Sequence, residues 1–492
     1  MPHAFPRRHV FTGLGALGLV SFLSRAGLTQ GVSSPQPVSP LAERLAAYAH
    51  GLSYDDLDAT TIEAVKSHLI DTVGCGIAAF NEKAVRSCRD LALATSGGVA
   101  TVIGTNRRAT PDLAAFANGA AFRFHDMNDA YVGSVTAHPS DHIAACLAVA
   151  EAERSSVAEL ITAIVLAYEV NCRLIDAFDI SMRGWDPPVL SPPALALAVG
   201  KLMKLDPEKL TQAVNIAIND HIQMGQTRVQ TISDWKGLAD AEAARNSIFA
   251  AQLARAGITG PAPIFEGKSG FFRLVTGQGE VNVESFGRRG VPFSINACGM
   301  KAFPAQVHTQ TAIVAAIAVA KEVGDLTRIT AIDIATTKRG YQMNASEPEK
   351  WAPHTKETAD HSLPYITARA MFEGDINNDS YTADKLHDPH ILAFMQKIKV
   401  KEDPAFATPA GNAPSARITA TLADGRSIVR QVDNMPGFPG VPMSRADVER
   451  KFRSNVGKRW PQQQTDAVLA DLWELDRTED LPSLLGKLSL PA

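Results

Sequence analysis

Ile62-Glu63-Ala64-Val65-Lys66-Ser67-His68-Leu69-Ile70-Asp71-Thr72-Val73-Gly74-Cys75-Gly76 is the stretch that sets the architecture. Ile62, Val65, Leu69 and Val73 recur at the spacing of one helix face. The same period returns at Leu195, Ala198, Val199 and Leu202, and again at Leu210, Val214 and Ile218. Alanine dominates the region from Leu41 to about Gly260, which favours helices packed closely against one another. Ala100-Thr101-Val102-Ile103-Gly104 is the exception and reads as a short strand.

After Gly260-Pro261-Ala262-Pro263 the texture changes. Ile332 and Ile334 alternate within Thr330 to Thr336, Ile398-Lys399-Val400 adds a second strand, and residues 416 to 432 read as a hairpin turning at Asp424-Gly425. A helical run from about Gln306 to Val323 lies among them, and the chain becomes helical again from Ser444. The expectation is a mainly α protein with a smaller α+β domain. Residues 41–269 and 436–492 would form the helical domain and 270–435 the α+β lid domain.

The chain has 492 residues, 45% hydrophobic and 20% charged, with a net charge of -4 and no long block of either sign. That composition suits a folded protein and gives no basic footprint for nucleic acid. Five scattered cysteines without a CxxC pair argue against a disulfide scaffold and a cysteine-built metal centre. At the start, Arg7-Arg8 precedes a charge-free run of 16 residues from His9 to Ser24, shorter than the ~18 of a membrane span. Residues 1–28 therefore read as a twin-arginine-like signal and 29–40 as a linker, implying a periplasmic protein with no stable membrane insertion after export. Gly13-Leu14-Gly15-Ala16-Leu17-Gly18 mimics a dinucleotide fingerprint but has no room for the preceding strand, and Ala262 occupies the first glycine position of a P-loop ending at Gly267-Lys268-Ser269. No nucleotide cofactor is expected.

The densest polar constellation is Phe124-His125-Asp126-Met127-Asn128-Asp129-Ala130-Tyr131 with Thr136-Ala137-His138-Pro139-Ser140-Asp141-His142. Pro139 suits the first position of a helix, placing His138 at its cap among amides that attract an anion. His138 and His142 are also spaced for a metal, with Asp141 between them, and a helix start whose histidines merely satisfy backbone groups is the plainer alternative. Ser233-Asp234-Trp235-Lys236-Gly237 and Lys301-Ala302-Phe303-Pro304-Ala305-Gln306-Val307-His308 each lead a basic residue into a helix. Fixed cations there suit a substrate with several carboxylates, and His308 is an acid or base by type, or a core histidine. Arg339-Gly340-Tyr341 follows a predicted strand, and Asp360-His361-Ser362-Leu363-Pro364-Tyr365 opens another helix.

Together with Asp71 to Gly76, Ala117-Asn118-Gly119-Ala120-Ala121 and Ala243-Ala244-Arg245-Asn246, these segments resemble the MmgE/PrpD family, which includes 2-methylcitrate dehydratase, cis-aconitate decarboxylase and iminodisuccinate epimerase. The resemblance spans about residues 41 to 480. It implies a large helical domain interrupted by an α+β lid, a homodimer, a cleft between the domains, and a reaction on a small di- or tricarboxylic acid; the scattered cysteines make a metal-free route without a cofactor the expectation. Carried over by position, Asp126, His138, Lys236, Lys301, His308 and Tyr341 are the expected catalytic residues, with Ser140 and His361 expected to bind substrate. His138 would be oriented by Asp126. Elimination of water, as by 2-methylcitrate dehydratase, is the first expectation, and epimerisation or decarboxylation uses the same residues. The chain departs from relatives at Ala130, at Trp185-Asp186-Pro187-Pro188 and at Gln306, where the decarboxylase branch has a histidine. The first two departures leave open a periplasmic carboxylate-binding protein without catalysis.

Overall fold

The computed structural model describes residues 38–406 and 414–491, so the signal and nearly all of the linker lie outside the described residues. The helices Ala59–Ala78, Ser191–Leu202 and Pro207–Asn219 contain the three apolar faces read from the sequence. Asp58 caps the first by accepting from the Thr61 amide, and Asp206 caps the third ahead of Pro207 at its first position. Around them pack Pro111–Arg123, Ile143–Ala152, Val157–Ala177 and Ala239–Arg255. Ile143–Ala152 is buried at every position from Ile143 to Glu151, so it forms the centre of the bundle.

Small residues bring the site-bearing helices together. A Cβ on Gly76 would lie 2.6 Å from the Phe122 ring, and one on Gly119 would lie 3.1 Å from the Ala241 side chain. Ala59–Ala78 and Ala239–Arg255 thus press against the helix that ends at Arg123. One hydrophobic core runs from Leu41 to Met300 and is completed by Val448, Phe452, Leu469 and Leu472 near the end of the chain. The five cysteines are buried and unbridged, and Cys172 and Cys298 bring their Sγ atoms to 3.8 Å.

A second core, from Ala305 to Leu422, belongs to the α+β part. Nine strands occur among the described residues: β1 Ala100–Thr101, β2 Arg108–Ala109, β3 Asp129–Val132, β4 Thr136–Ala137, β5 Gly299–Met300, β6 Ile329–Thr336, β7 Ile398–Glu402, β8 Ala416–Leu422 and β9 Ser427–Val432. The larger sheet has the order β7-β6-β8-β9, with β6 and β7 parallel and the other pairs antiparallel. Its hairpin turns where expected, at Gly425, whose φ of 84° favours glycine. Ala416, Ile418, Ala420 and Leu422 alternate inward and share the second core with Ile313 and Ala316 of Gln310–Val323 and Ile366 of Leu363–Glu373.

The first strand is shorter than expected, ending at Thr101, and the three-stranded sheet β4-β3-β5 has no counterpart in the sequence reading. Tyr131 pairs with Ala137 and Val132 with Thr136, while Asp129 pairs with Met300 and Ala130 with Gly299. This small sheet ties together three segments that carry expected site residues. Asp126 lies just before β3, His138 just after β4 and Lys301 just after β5.

Candidate active site

Asp126 adopts φ 53°, a left-handed conformation uncommon outside glycine and asparagine. Its amide donates to the Arg123 carbonyl at 3.0 Å, and its own carbonyl accepts from Lys301 Nζ at 2.9 Å. The carboxylate is wrapped in cations. Arg123 Nη1 lies 2.6 Å from Oδ1, where Lys301 Nζ also binds, and Lys236 Nζ lies 3.3 Å from Oδ2. Although burial opposes ionisation, Arg123, Lys301 and Lys236 hold this carboxyl well below the usual range.

Lys236 also grips Asp360, at 2.9 Å to Oδ1 and 2.7 Å to Oδ2. Lys356 adds a contact of 2.8 Å to Asp360 Oδ2, and His361 Nδ1 lies 2.6 Å from Oδ1. Four side-chain cations therefore surround the Asp126 and Asp360 carboxylates in a cluster that is buried except for part of Lys356. Burial pulls the Lys301 ammonium down to about 8, helped by Arg123 and Lys236.

His138 is the cap of the 3-10 turn Pro139–His142, which leads into Ile143–Ala152. Its Nδ1 lies 2.7 Å from the Asp129 carbonyl, so that carbonyl, and not the Asp126 carboxylate, orients the ring. A carbonyl oxygen can only accept, which places the proton on Nδ1 and leaves Nε2 with a free lone pair. Burial, Arg123 and Lys301 hold the ring well below its ordinary range, keeping it neutral with Nε2 unprotonated.

A cavity of about 50 Å³ gathers Asp126, His138, Lys301 and His361 with Arg123, Asp186, Arg228 and Asp240. Gln306, Val307 and Met343 complete it from the α+β side. Lys236 stands behind it, holding Asp126 and Asp360. The other expected residues sit off the wall. Ser140 is locked into a buried network, its hydroxyl accepting from Asn128 and its amide donating to Asp129. His308 follows the wall residues Gln306 and Val307 but is itself buried with both ring nitrogens unpartnered. Tyr341, half-buried on Lys338–Asn344, is two residues from Met343 and does not line the cavity. His142 is directed to the Ala167 carbonyl and forms no ligand pair with His138.

The departures also find places. Ala130 is packed with Val307, Met435 and Phe438, and Asp186 pairs with Arg228 at 2.9 Å on the cavity wall beside Pro187 and Pro188. Among the described residues, Asp126, Asp360 and His361 are the one group whose ligand atoms are close enough to share a metal. These donors already serve Arg123, Lys236, Lys301 and Lys356, so a further cation there would meet strong repulsion. A larger groove of about 760 Å³ is lined by His125, Met127, Ala302 and Pro304 but by none of the expected site residues. Lys451 lines it and donates to the Met127 carbonyl at 2.7 Å while pairing with Asp71 at 2.7 Å.

A helical bundle joined to an α+β unit carries a cavity lined by paired charges and a neutral histidine, and the family matches make it a lyase-type enzyme for a small carboxylic acid. The chain belongs to the MmgE/PrpD family: residues 43–284 match the MmgE/PrpD N-terminal domain and 303–475 the MmgE/PrpD C-terminal domain. It is 27% identical over 460 residues to 2-methylcitrate dehydratase of Cupriavidus necator, covering 88% of this chain and 92% of that one. Similarity to human cis-aconitate decarboxylase is 24% over 463 residues, covering 92% and 95% of the two chains. The 2-methylcitrate dehydratase of Escherichia coli is 27% identical over 454 residues, covering 84% and 90%.

Proposed function

We propose that the protein is a metal-free hydro-lyase that removes water from a small di- or tricarboxylic acid, in the manner of 2-methylcitrate dehydratase. The observation that carries this reading is the neutral His138, its Nε2 unprotonated, on one cavity wall with Arg123 and Lys301. His138 takes a proton from carbon next to a carboxylate. The charge that develops on that carboxylate is stabilised by Lys301, and Lys236 holds Asp126 and Asp360 in place. Gln306 on the wall supports dehydration over decarboxylation, because the decarboxylase branch carries histidine there.

At about 50 Å³ the cavity is small for a di- or tricarboxylic acid, so the side chains of Gln306, Met343 and His361 that line it must give way to substrate. Incubation with 2-methylcitrate, citrate and related acids should produce ultraviolet absorbance from a new double bond. Isotope uptake from deuterated water without net product would instead identify an epimerase, released carbon dioxide a decarboxylase, and tight binding without either a carboxylate-binding protein. The Arg7-Arg8 segment supports periplasmic export; replacing both arginines by lysine should keep the protein in the cytoplasm. A homodimer is the expected assembly, and sedimentation would show a single species of twice the chain mass.

A further inference from the structure

One corner of the cavity wall has no role in the scheme above. Arg228 ends the 3-10 turn Gly225–Arg228, and Asp186 stands just ahead of the turn Pro187–Leu190. Strand β4, which carries Thr136, packs against that second turn. Thr136, Asp186 and Arg228 all line the cavity.

A guanidinium and a carboxylate commonly meet through two parallel hydrogen bonds. Here one forms: Arg228 Nε donates to Asp186 Oδ1 at 2.9 Å, while Asp186 Oδ2 is buried without a partner. Arg228 Nη1 donates to the Lys236 carbonyl at 3.2 Å, so the head group is fixed from two sides. Nη2, with two N–H groups, makes no hydrogen bond among the described residues. Thr136 Oγ1 is buried and equally without a partner, and Pro187 and Pro188 have no N–H to add. Arg123 and Lys301, the other cations of the wall, are held by Asp126. Buried polar groups left unmatched are unfavourable, so this corner is one that a ligand would complete. A carboxylate does so, one oxygen accepting from Arg228 Nη2 and the other from the Thr136 hydroxyl.

We propose that Arg228 and Thr136 are specificity-determining residues that take a second carboxylate of the substrate, remote from the one beside Lys301, and that Asp186 is the positioning residue for the guanidinium. This rests on the reading of a small polycarboxylic acid as substrate. It deepens that reading by selecting acids with at least two carboxylates over monocarboxylates.

The experiment measures binding to the full chain by calorimetry, with tricarballylate, glutarate and butyrate as probes. These acids carry three, two and one carboxylates and have no hydroxyl to lose. Arg228→Gln should weaken tricarballylate and glutarate by ~10–100-fold and leave butyrate unchanged. Thr136→Val, which alters no charge, should weaken the same two acids by ~3–10-fold, and it decides the matter should Arg228→Gln fail to fold. Asp186→Ala should lose the preference for the two larger acids, and Asp186→Asn, which keeps an Oδ1 acceptor for Arg228, should restore it. Unchanged binding of all three acids by Arg228→Gln and Thr136→Val, or an equal loss for butyrate, overturns the proposal. If the unaltered protein binds none of the acids, the polycarboxylate reading falls and this one with it. If the variants behave as expected but no acid is turned over, the elimination reading alone falls.

Discussion

Lys236 gives the most searching test of the charge cluster. Its Nζ holds Asp360 at 2.7 and 2.9 Å and Asp126 at 3.3 Å, with its side chain fully buried. Lys236→Met keeps the apolar stem and removes the charge. Breaking a buried pair by deleting one partner costs about 3–5 kcal/mol. The lower end is expected, because Asp360 retains Lys356 and His361, and Asp126 retains Arg123 and Lys301. Urea unfolding should therefore show a loss of ~3 kcal/mol, with the variant still folded in buffer. Loss of a preorganised cation at the site should lower kcat/KM by ~10²–10³-fold. Initial rates measured well below the urea midpoint separate the two effects. A folded variant with undiminished kcat/KM would show that Lys236 neither organises nor stabilises the reacting charge.

Lys301 predicts a pH dependence: its proton leaves the folded protein near pH 8, so kcat/KM should fall as pH rises through that value, and a flat profile to pH ~10 would remove it as the required cation. Because the unfolded lysine titrates near 10.5, between about 8 and 10.5 the unfolded chain holds more protons, and this group's contribution to stability rises with pH. Lys451→Met should cost ~3–5 kcal/mol by leaving Asp71 buried without its cation, read as a lower urea midpoint; an unchanged midpoint would show that the pair carries no weight. Diamide should join Cys172 to Cys298 before any other pair, since their Sγ atoms are 3.8 Å apart; the reaction should be slow, because burial raises both thiols, and peptide mapping that finds a different bridge would contradict the packing.

The long helices were legible because Val65, Leu69 and Val73 repeat with helical period over enough turns to be distinctive. The hairpin was legible for a different reason, the Asp424-Gly425 turn between alternating apolar residues. The site was harder to read. β3, β4 and β5 are two to four residues long, too short for any periodic signal, yet their pairing brings Asp126, His138 and Lys301 together. That convergence could be anticipated through family resemblance and not through spacing. Arg123 looks in sequence like an ordinary basic residue at a helix end, and Asp240 like an acid in a helix first turn; only tertiary burial distinguishes them. Ser140, His308 and Tyr341 were chosen by position in a motif, but side-chain direction depends on the backbone of each turn.

The left-handed backbone at Asp126 determines how that residue can be interrogated. Alanine would erase the charge and also resist the conformation, so a dead Asp126→Ala protein could not be traced to either cause. Asparagine tolerates the same dihedral angles and isolates the electrostatic contribution. The difference between the two variants then combines the cost of the left-handed backbone for alanine with those hydrogen bonds from Arg123, Lys236 and Lys301 that asparagine alone can still accept.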